Sequence, residues 1–289
     1  MRATFEEKTY ENYFNVELDR VTEIFFPLGQ VQEGNLGFDA SAHSRNHRLW
    51  RMLGYPFWFF PPFAGIDLRE IADEMEHHLG RIIRDVPRMR ANLIFQYKKP
   101  EFITIFFGRE WEHWDQPYFR YDIYQEQQEL LMHIHNTLGT MVLVIYAAPA
   151  IQDINELVRI HSERKLIENS NFKKASELNL HHRNTYIQAG THSIACSEPE
   201  KIENFDLLNV LNSLNGESNS DYGDDYNRQF IINFRKKIES IVRENNYFAT
   251  SFKTLNASLE GLKKYELLYS FLVMVNFRQL TGTQWLIKL

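Results

Sequence analysis

The chain has 289 residues and a formal net charge of −6, and its 44% hydrophobic and 24% charged content excludes a disordered or fibrous protein. A single cysteine excludes an internal disulfide and a cysteine-built zinc site, so we expect a reducing, cytoplasmic location. The longest apolar run, 141–151, is about half of the ~20 residues that cross a bilayer, so we expect no membrane association.

The hydrophobic spacing predicts an α/β fold over the first 214 residues. Residues 9–26 carry an apolar stripe at helical spacing, which predicts a first helix that stops before Gly29. Residues 141–146 form a continuous β-branched and apolar run, typical of a strand buried on both faces. The other predicted helices span 44–53, 68–83, 125–138 and 154–167, and the other predicted strands span 30–32, 37–42, 91–98, 102–107, 118–123 and 193–196. Together they predict a mixed sheet with helices on both sides.

The pattern breaks at 215–227, where the sequence NGESNSDYGDDYN predicts an exposed linker. Apolar residues with helical spacing follow it, namely Phe230, Ile231, Phe234, Ile238 and Ile241. A further helix is predicted across 255–277. We therefore expect an α/β domain at 1–214 and a small C-terminal helical region at 228–289.

The acidic total conceals a basic stretch. Residues 40–100 hold ten Lys and Arg against six Asp and Glu, whereas both flanks are acidic. Two sets of arginines in this stretch are spaced to share a helix face, Arg45, Arg48 and Arg51 in the first and Arg81, Arg84 and Arg88 in the second. Each set is either an ordinary solvated face or a patch that contacts phosphate groups.

The predicted strand at 91–98 ends with polar side chains after an apolar run. Because alternate residues of a strand share a face, Gln96 and Lys98 point to the same side. A buried lysine is costly to desolvate without an anionic partner. We expect that partner on a neighbouring strand, where Asp39 follows a short apolar strand start, and Glu17 on the first helix could be presented from above.

This arrangement resembles the PD-(D/E)XK nuclease superfamily, in particular the Mrr-like variant in which Gln replaces the second acid to give D…QxK. The resemblance covers about residues 9–150, from the helix with its Glu to the buried strand. It implies a restriction-endonuclease-like mixed sheet flanked by helices, with a helical insertion at 43–90.

The same resemblance implies roles for four residues. Asp39, Gln96 and Glu17 would hold a divalent metal, Mg²⁺ or Mn²⁺, and Lys98 would orient the attacking water and stabilise developing charge. Glu11 on the same helix is the alternative to Glu17. Nucleic-acid contacts would come from the basic stretch, from Arg45, Arg48, Arg51, Arg84, Arg88 and Lys99.

The implied function is a metal-dependent endonuclease that cleaves DNA in bacterial restriction or defence against phage. The sequence contains no GxxxxGK[ST] motif, so we expect either a homo-oligomer or a separate ATPase, helicase or sensor as partner. One alternative is a catalytically degenerate module of the same fold that binds DNA or docks a partner protein. Another is a histidine-rich metalloenzyme that acts on a small molecule, since the chain holds 11 histidines.

Overall fold

The structure is a computed structural model that describes residues 3–27, 68–214 and 225–289. Within these ranges the chain forms an α/β fold with two five-stranded sheets. The predicted strands at 30–32 and 37–42 and the predicted helix at 44–53 lie outside the described residues. None of the helices described is long and apolar enough to cross a membrane.

Helices and strands alternate along most of the described chain. The helices are α1 (Glu7–Val21), α2 (Leu68–Asp85), α3 (Gln125–Leu138), α4 (Ile154–Ser162), α5 (Leu207–Ser213), α6 (Tyr226–Glu244), α7 (Ala249–Ala257) and α8 (Glu266–Thr281). The strands are β1 (Ile24–Phe25), β2 (Ala91–Tyr97), β3 (Glu101–Ile103), β4 (Tyr118–Asp122), β5 (Val142–Pro149), β6 (Ser170–Lys174), β7 (Arg183–Tyr186), β8 (Ser193–Cys196), β9 (Glu200–Ile202) and β10 (Gln284–Lys288).

The first sheet has the strand order β1-β10-β2-β5-β6. Strands β2 and β5 are parallel and the other pairs are antiparallel. The path from β2 to β5 includes α3, as a parallel pair requires a crossover connection. All seven residues of β2 are buried, because helices cover both faces of this sheet.

The two faces of the first sheet belong to different core clusters. Leu93 and Phe95 pack in a cluster with the apolar residues of α1, α4 and α5. Ile94 belongs to the other cluster, with α2, α3, α6 and α8. The second sheet, ordered β3-β4-β7-β8-β9 and antiparallel throughout, adds Tyr121 and Tyr186 to that second cluster. Side chains that alternate along β2 therefore enter different environments.

Several predicted elements differ in their ends from the observed ones. Helix α1 stops at Val21 because Thr22 is extended, and Ile24–Phe25 then pair with β10. The helix predicted across 255–277 is two helices, α7 and α8, separated by a short turn around Gly261. By contrast, α3 has the predicted bounds, and α2 extends two residues beyond the predicted end at 83.

The C-terminal region contributes a strand as well as helices. Gly282 adopts a φ of 71°, which ends α8 and turns the chain into β10. All five residues of β10 are buried, and the strand lies between β1 and β2. Helix α8 also contacts α2, which belongs to the predicted insertion. The C-terminal residues thus form part of the same sheet as β2.

Candidate active site at the end of strand β2

The C-terminal end of β2 places two polar side chains in the interior. Gln96 is 3% exposed and Lys98 is 5% exposed. Both side chains contact α3, on the face of the sheet opposite the one that Phe95 and Tyr97 share with α1. The alternation of the strand therefore brings the amide and the amine to one side, while the aromatic rings pack on the other.

Gln127 on α3 connects these two side chains. Its Nε2 atom donates a hydrogen bond of 2.6 Å to Oε1 of Gln96. Its Oε1 atom accepts a hydrogen bond of 3.3 Å from Nζ of Lys98. Gln96 in turn donates through Nε2 to the carbonyl oxygen of Tyr97 at 2.9 Å. The three side chains form one connected network, which fixes the position of the ammonium group.

Aromatic rings and burial define the environment of Lys98. Its Nζ atom lies 4.8 Å from the ring centroid of Tyr124 and 5.6 Å from that of Tyr146, within the range of cation–π attraction. Burial lowers the pKa of Lys98 to about 8, while the carboxylates of Glu7 and Asp122 oppose this shift. The amine is thus close to its titration point at physiological pH, as groups at functional sites often are.

Lys98 opens onto a cavity of about 250 Å³. Acidic and basic side chains line it together, namely Glu7, Glu101 and Asp122 with Lys98, Lys99 and Arg120. They come from α1, from the chain around the end of β2, and from strands β3 and β4 of the second sheet. The cavity therefore combines groups that can hold a cation with groups that can hold a phosphate.

The three carboxylates of the cavity have different partners. Glu101 accepts a hydrogen bond of 2.9 Å from Arg120, and Asp122 accepts one of 2.9 Å from Arg183. Glu7 accepts from the backbone N–H of Lys99 at 3.2 Å. Burial raises the pKa of Glu7, and the nearby Lys98 counters that effect. Among the described residues, Glu7 and Asp122 are the acids whose charge raises the pKa of Lys98 and so counters its burial.

The predicted helix carboxylate Glu17 has a structural role. It is 5% exposed, and its two oxygens accept hydrogen bonds from the backbone N–H groups of Leu166 at 2.8 Å and Ile167 at 3.0 Å. It does not line the cavity at Lys98. Glu17 thus lies apart from the cavity at Lys98, because both of its oxygens hold the loop before β6.

The alternative, Glu11, also lies outside the cavity lining, and it pairs with Lys8 and Arg278. The carboxylate that α1 contributes is Glu7, in its first turn. Sequence reasoning missed Glu7 because the first helix was predicted to begin at residue 9. The four-residue spacing between Glu7 and Glu11, which puts both on one helix face, was the available signal.

The acidic partners of Lys98 do not come from strands beside β2. Those strands are β5 and β10, and neither contains Asp or Glu. Within the described part of the chain, the strands beside β2 therefore supply no acid to Lys98, and the expectation that Asp39 does so stays a prediction. Asp39 lies outside the described residues, as do the predicted phosphate contacts Arg45, Arg48 and Arg51.

The remaining predicted phosphate contacts fall at two ends of β2. Lys99 lines the cavity at Lys98. Arg84 lies in α2 near Arg228 of α6, and the guanidinium carbon of Arg88 is 4.3 Å from the ring centroid of Tyr226. Helix α2 ends at Asp85, so Arg88 does not continue its basic face. Arg84 and Arg88 precede β2 in the chain and Lys99 follows it, and the seven residues of the strand between them span about 20 Å.

The donors at the cavity can be compared with what a divalent ion needs. Among the residues that the structure describes, no three His, Cys, Asp or Glu side chains are grouped to hold a metal. Mg²⁺ is commonly held by one or two carboxylates, with waters and substrate phosphates completing its shell. Glu7 and Asp122 provide that minimal number of oxygen ligands, so the donor chemistry fits Mg²⁺ or Mn²⁺.

Comparison of the chain with protein-family models, with curated proteins and with solved structures finds no match. The chemistry of the cavity is therefore the basis on which a function can be inferred.

Proposed function

We propose that the protein is a metal-dependent phosphodiesterase that cleaves DNA, with a D…QxK site of the PD-(D/E)XK type. The observation that supports this most directly is the network of Gln96, Gln127 and Lys98 beside a cavity with three carboxylates. A buried amine beside acids and surface cations suits a reaction at a phosphoryl group, in which negative charge develops near a bound cation.

Lys98 is the central residue of the proposed reaction. With a pKa of about 8, its amine is mainly an ammonium at pH 7 and donates hydrogen bonds to a phosphoryl oxygen or to the attacking water. Gln127, which is half-buried, bonds the amine directly and is itself bonded to the buried Gln96, so the two amides hold the amine in place. A bound Mg²⁺ or Mn²⁺ supplies charge neutralisation and an activated water, and Glu7, Asp122 and Asp39 would hold it.

Substrate binding follows from the charges around the cavity. Lys99 and Arg120 lie at its lining, where they can pair with backbone phosphates of DNA. The protein as a whole carries a net charge of −6, which predicts weak affinity for free DNA. Recruitment by a partner, such as a separate ATPase or helicase or a second copy of the chain, fits this charge. The D…QxK resemblance implies a role in restriction or phage defence, and the single cysteine suits a cytoplasmic location.

The proposal is tested by incubating supercoiled plasmid with the full chain and either Mg²⁺ or Mn²⁺. Nicking or linearisation is expected for the wild type and is expected to be lost in Lys98→Ala and Asp39→Ala. The matched control is Lys253→Ala, which removes an exposed lysine of α7. Cleavage that persists undiminished in Lys98→Ala would overturn the proposal.

A specific observation favours a second candidate, a degenerate nuclease-fold module that binds DNA without cutting it. Glu101 and Asp122 are each paired with an arginine, and such pairs compete with a metal for the carboxylate oxygens. This candidate predicts no cleavage but salt-sensitive binding of a labelled duplex, measured by fluorescence anisotropy. Loss of that binding in Lys99→Ala and Arg120→Ala would place it at the same cavity.

A further inference from the structure

A second cavity lies at the opposite end of β2 from Lys98. Its volume is about 360 Å³, within the roughly 300–1,000 Å³ of small-molecule sites. It is formed where the start of β2, the turn after α3 and the first 12 residues of the 19-residue α6 meet. It shares no lining residue with the cavity at Lys98, so its role is independent of the function proposed above.

Aromatic rings form the apolar part of this cavity. Tyr226, Phe230 and Phe234 line it along one side of α6. Phe234 stacks on the buried Trp285 with ring centroids 5.3 Å apart, so this wall is anchored in the core. Tyr226 and Phe230 have ring centroids 6.0 Å apart, and both residues are half-buried, so the wall is partly accessible. A flat, apolar ligand group matches such a wall.

Three cations surround the aromatic wall. Arg90, Lys236 and Lys237 line the cavity, all three are exposed, and no Asp or Glu of the described chain lines it with them. Within the described ranges none of the three forms an ion pair with a carboxylate, and Nζ of Lys237 instead contacts the sulfur of Met141 at 3.4 Å. With these cations and no carboxylate of the described chain in its lining, the cavity is positively charged and suited to an anionic ligand.

Amide side chains complete the lining. Asn92, Gln229 and Asn233 add hydrogen-bonding groups beside the rings. Of these, the buried Asn92 is already bonded at both ends, to the Trp285 indole and to the carbonyl oxygen of Met141, and Gln229 contacts Asp225, while Asn233 is exposed on α6. A fatty acid would need one cation and a deep apolar tunnel. A nucleoside phosphate would use the rings for its base, the amides for the base edge and the cations for the phosphates.

We propose that this cavity binds a nucleoside phosphate, with the base on Tyr226 and Phe230 and the phosphates on Arg90, Lys236 and Lys237. The guanidinium of Arg88, 4.3 Å from the ring centroid of Tyr226, adds positive charge beside the same wall. The site is separate from the metal-dependent reaction assigned to Lys98.

The test is calorimetric titration of the full chain with ATP, AMP, adenosine and tripolyphosphate, in buffer that contains EDTA. Saturable binding is expected for ATP and AMP, with adenosine and tripolyphosphate at least tenfold weaker than ATP. The double variant Lys236→Gln, Lys237→Gln is expected to weaken ATP binding at least tenfold. The matched control Lys253→Gln and the variant Lys98→Ala are expected to bind ATP as the wild type does.

The base contribution is tested with Phe230→Ala, checked for folding by thermal unfolding, and with the surface variant Asn233→Ala. Both are expected to weaken ATP binding while leaving tripolyphosphate unchanged. Three results would overturn the proposal: no saturable binding of ATP or AMP, equal affinity for ATP and tripolyphosphate, or binding of duplex DNA through Lys236 and Lys237 without any mononucleotide binding.

Discussion

The ammonium of Lys98 is hydrogen-bonded at 3.3 Å to Oε1 of Gln127, which lies 29 positions later in the chain. The same Gln127 side chain donates to Gln96 and to the carbonyl oxygen of Thr281. One amide on α3 thus connects both polar residues of β2 with the end of α8. Because every polar group of this amide has a partner, its removal leaves buried groups unsatisfied.

We expect Gln127→Ala to lower both stability and activity. The buried side chains of Gln96 and Lys98 would each lose a hydrogen-bond partner, which costs about 1–3 kcal/mol in the free energy of unfolding measured with urea. Plasmid cleavage per folded molecule is expected to fall at least tenfold, because the ammonium is no longer fixed. The control is Gln125→Ala on the same helix, which removes an exposed bond to Glu129. Equal cleavage by both variants would show that Gln127 does not position Lys98.

Substitutions of two carboxylates of α1 are expected to affect different properties, stability for Glu17 and cleavage for Glu7. Glu17→Gln removes one of two oxygens that accept backbone N–H groups at Leu166 and Ile167, so urea unfolding should show a loss of about 2 kcal/mol. Glu7→Gln should leave stability nearly unchanged and lower cleavage, since Glu7 lines the cavity. The assignment of Glu7 fails if Glu17→Gln lowers the cleavage rate of folded protein more than Glu7→Gln does.

Part of this site follows from the sequence alone. Strand alternation puts Gln96 and Lys98 on one face, and the strong helical periodicity of 125–138 predicts the helix that carries Gln127. The contact itself could not be predicted, because it depends on how α3 crosses the sheet. Glu7 and Asp122 come from elements far apart in the chain, so no local pattern joins them. Strand β10 is only five residues long and follows a long helix, so its pairing with β2 has no strong local signal.

The pH dependence of cleavage reports the charge on Lys98. Its pKa of about 8 means that the ammonium is present below pH 8 and is lost as the pH rises above it. The cleavage rate is therefore expected to fall from pH 8 to pH 9.5. Lys98→Arg keeps a positive charge over that range, so any remaining activity should not fall. A decline of the same shape in Lys98→Arg would assign the titration to another group.

Lys173 on β6 is expected to destabilise the protein at neutral pH. Its side chain is fully buried and Nζ has no hydrogen-bond partner within the described chain. Burial lowers its pKa from 10.5 to about 8. Between pH 8 and pH 10.5 the unfolded chain therefore binds more protons at this lysine than the folded protein does, so stability rises with pH. Lys173→Met should raise the free energy of unfolding at pH 7 by on the order of 2–3 kcal/mol.

The gain from Lys173→Met should shrink as the pH rises from 8 toward 10, because the amine is then neutral in the folded protein and the unfolded chain begins to lose its proton as the pH nears 10.5. The matched control is Lys165→Met, which changes an exposed lysine. Urea titrations at pH 7 and pH 10 give the comparison. A loss of stability in Lys173→Met at both pH values would mean that the amine has a favourable partner in the folded protein.

The C-terminal strand is expected to be essential for folding of the α/β part. Trp285 on β10 is 1% exposed, and its indole N–H donates to Oδ1 of Asn92 on β2 at 3.0 Å. Trp285→Ala should cost about 3–5 kcal/mol, measured by urea unfolding, because it leaves a cavity in the core and an unpaired amide. The control is Tyr247→Ala, which removes a ring that is 65% exposed.

A fragment of residues 1–214 lacks β10 and would expose one edge of β2. We therefore expect this fragment to show no cooperative unfolding transition. A cooperative transition in the fragment would show that the C-terminal region is dispensable for the fold.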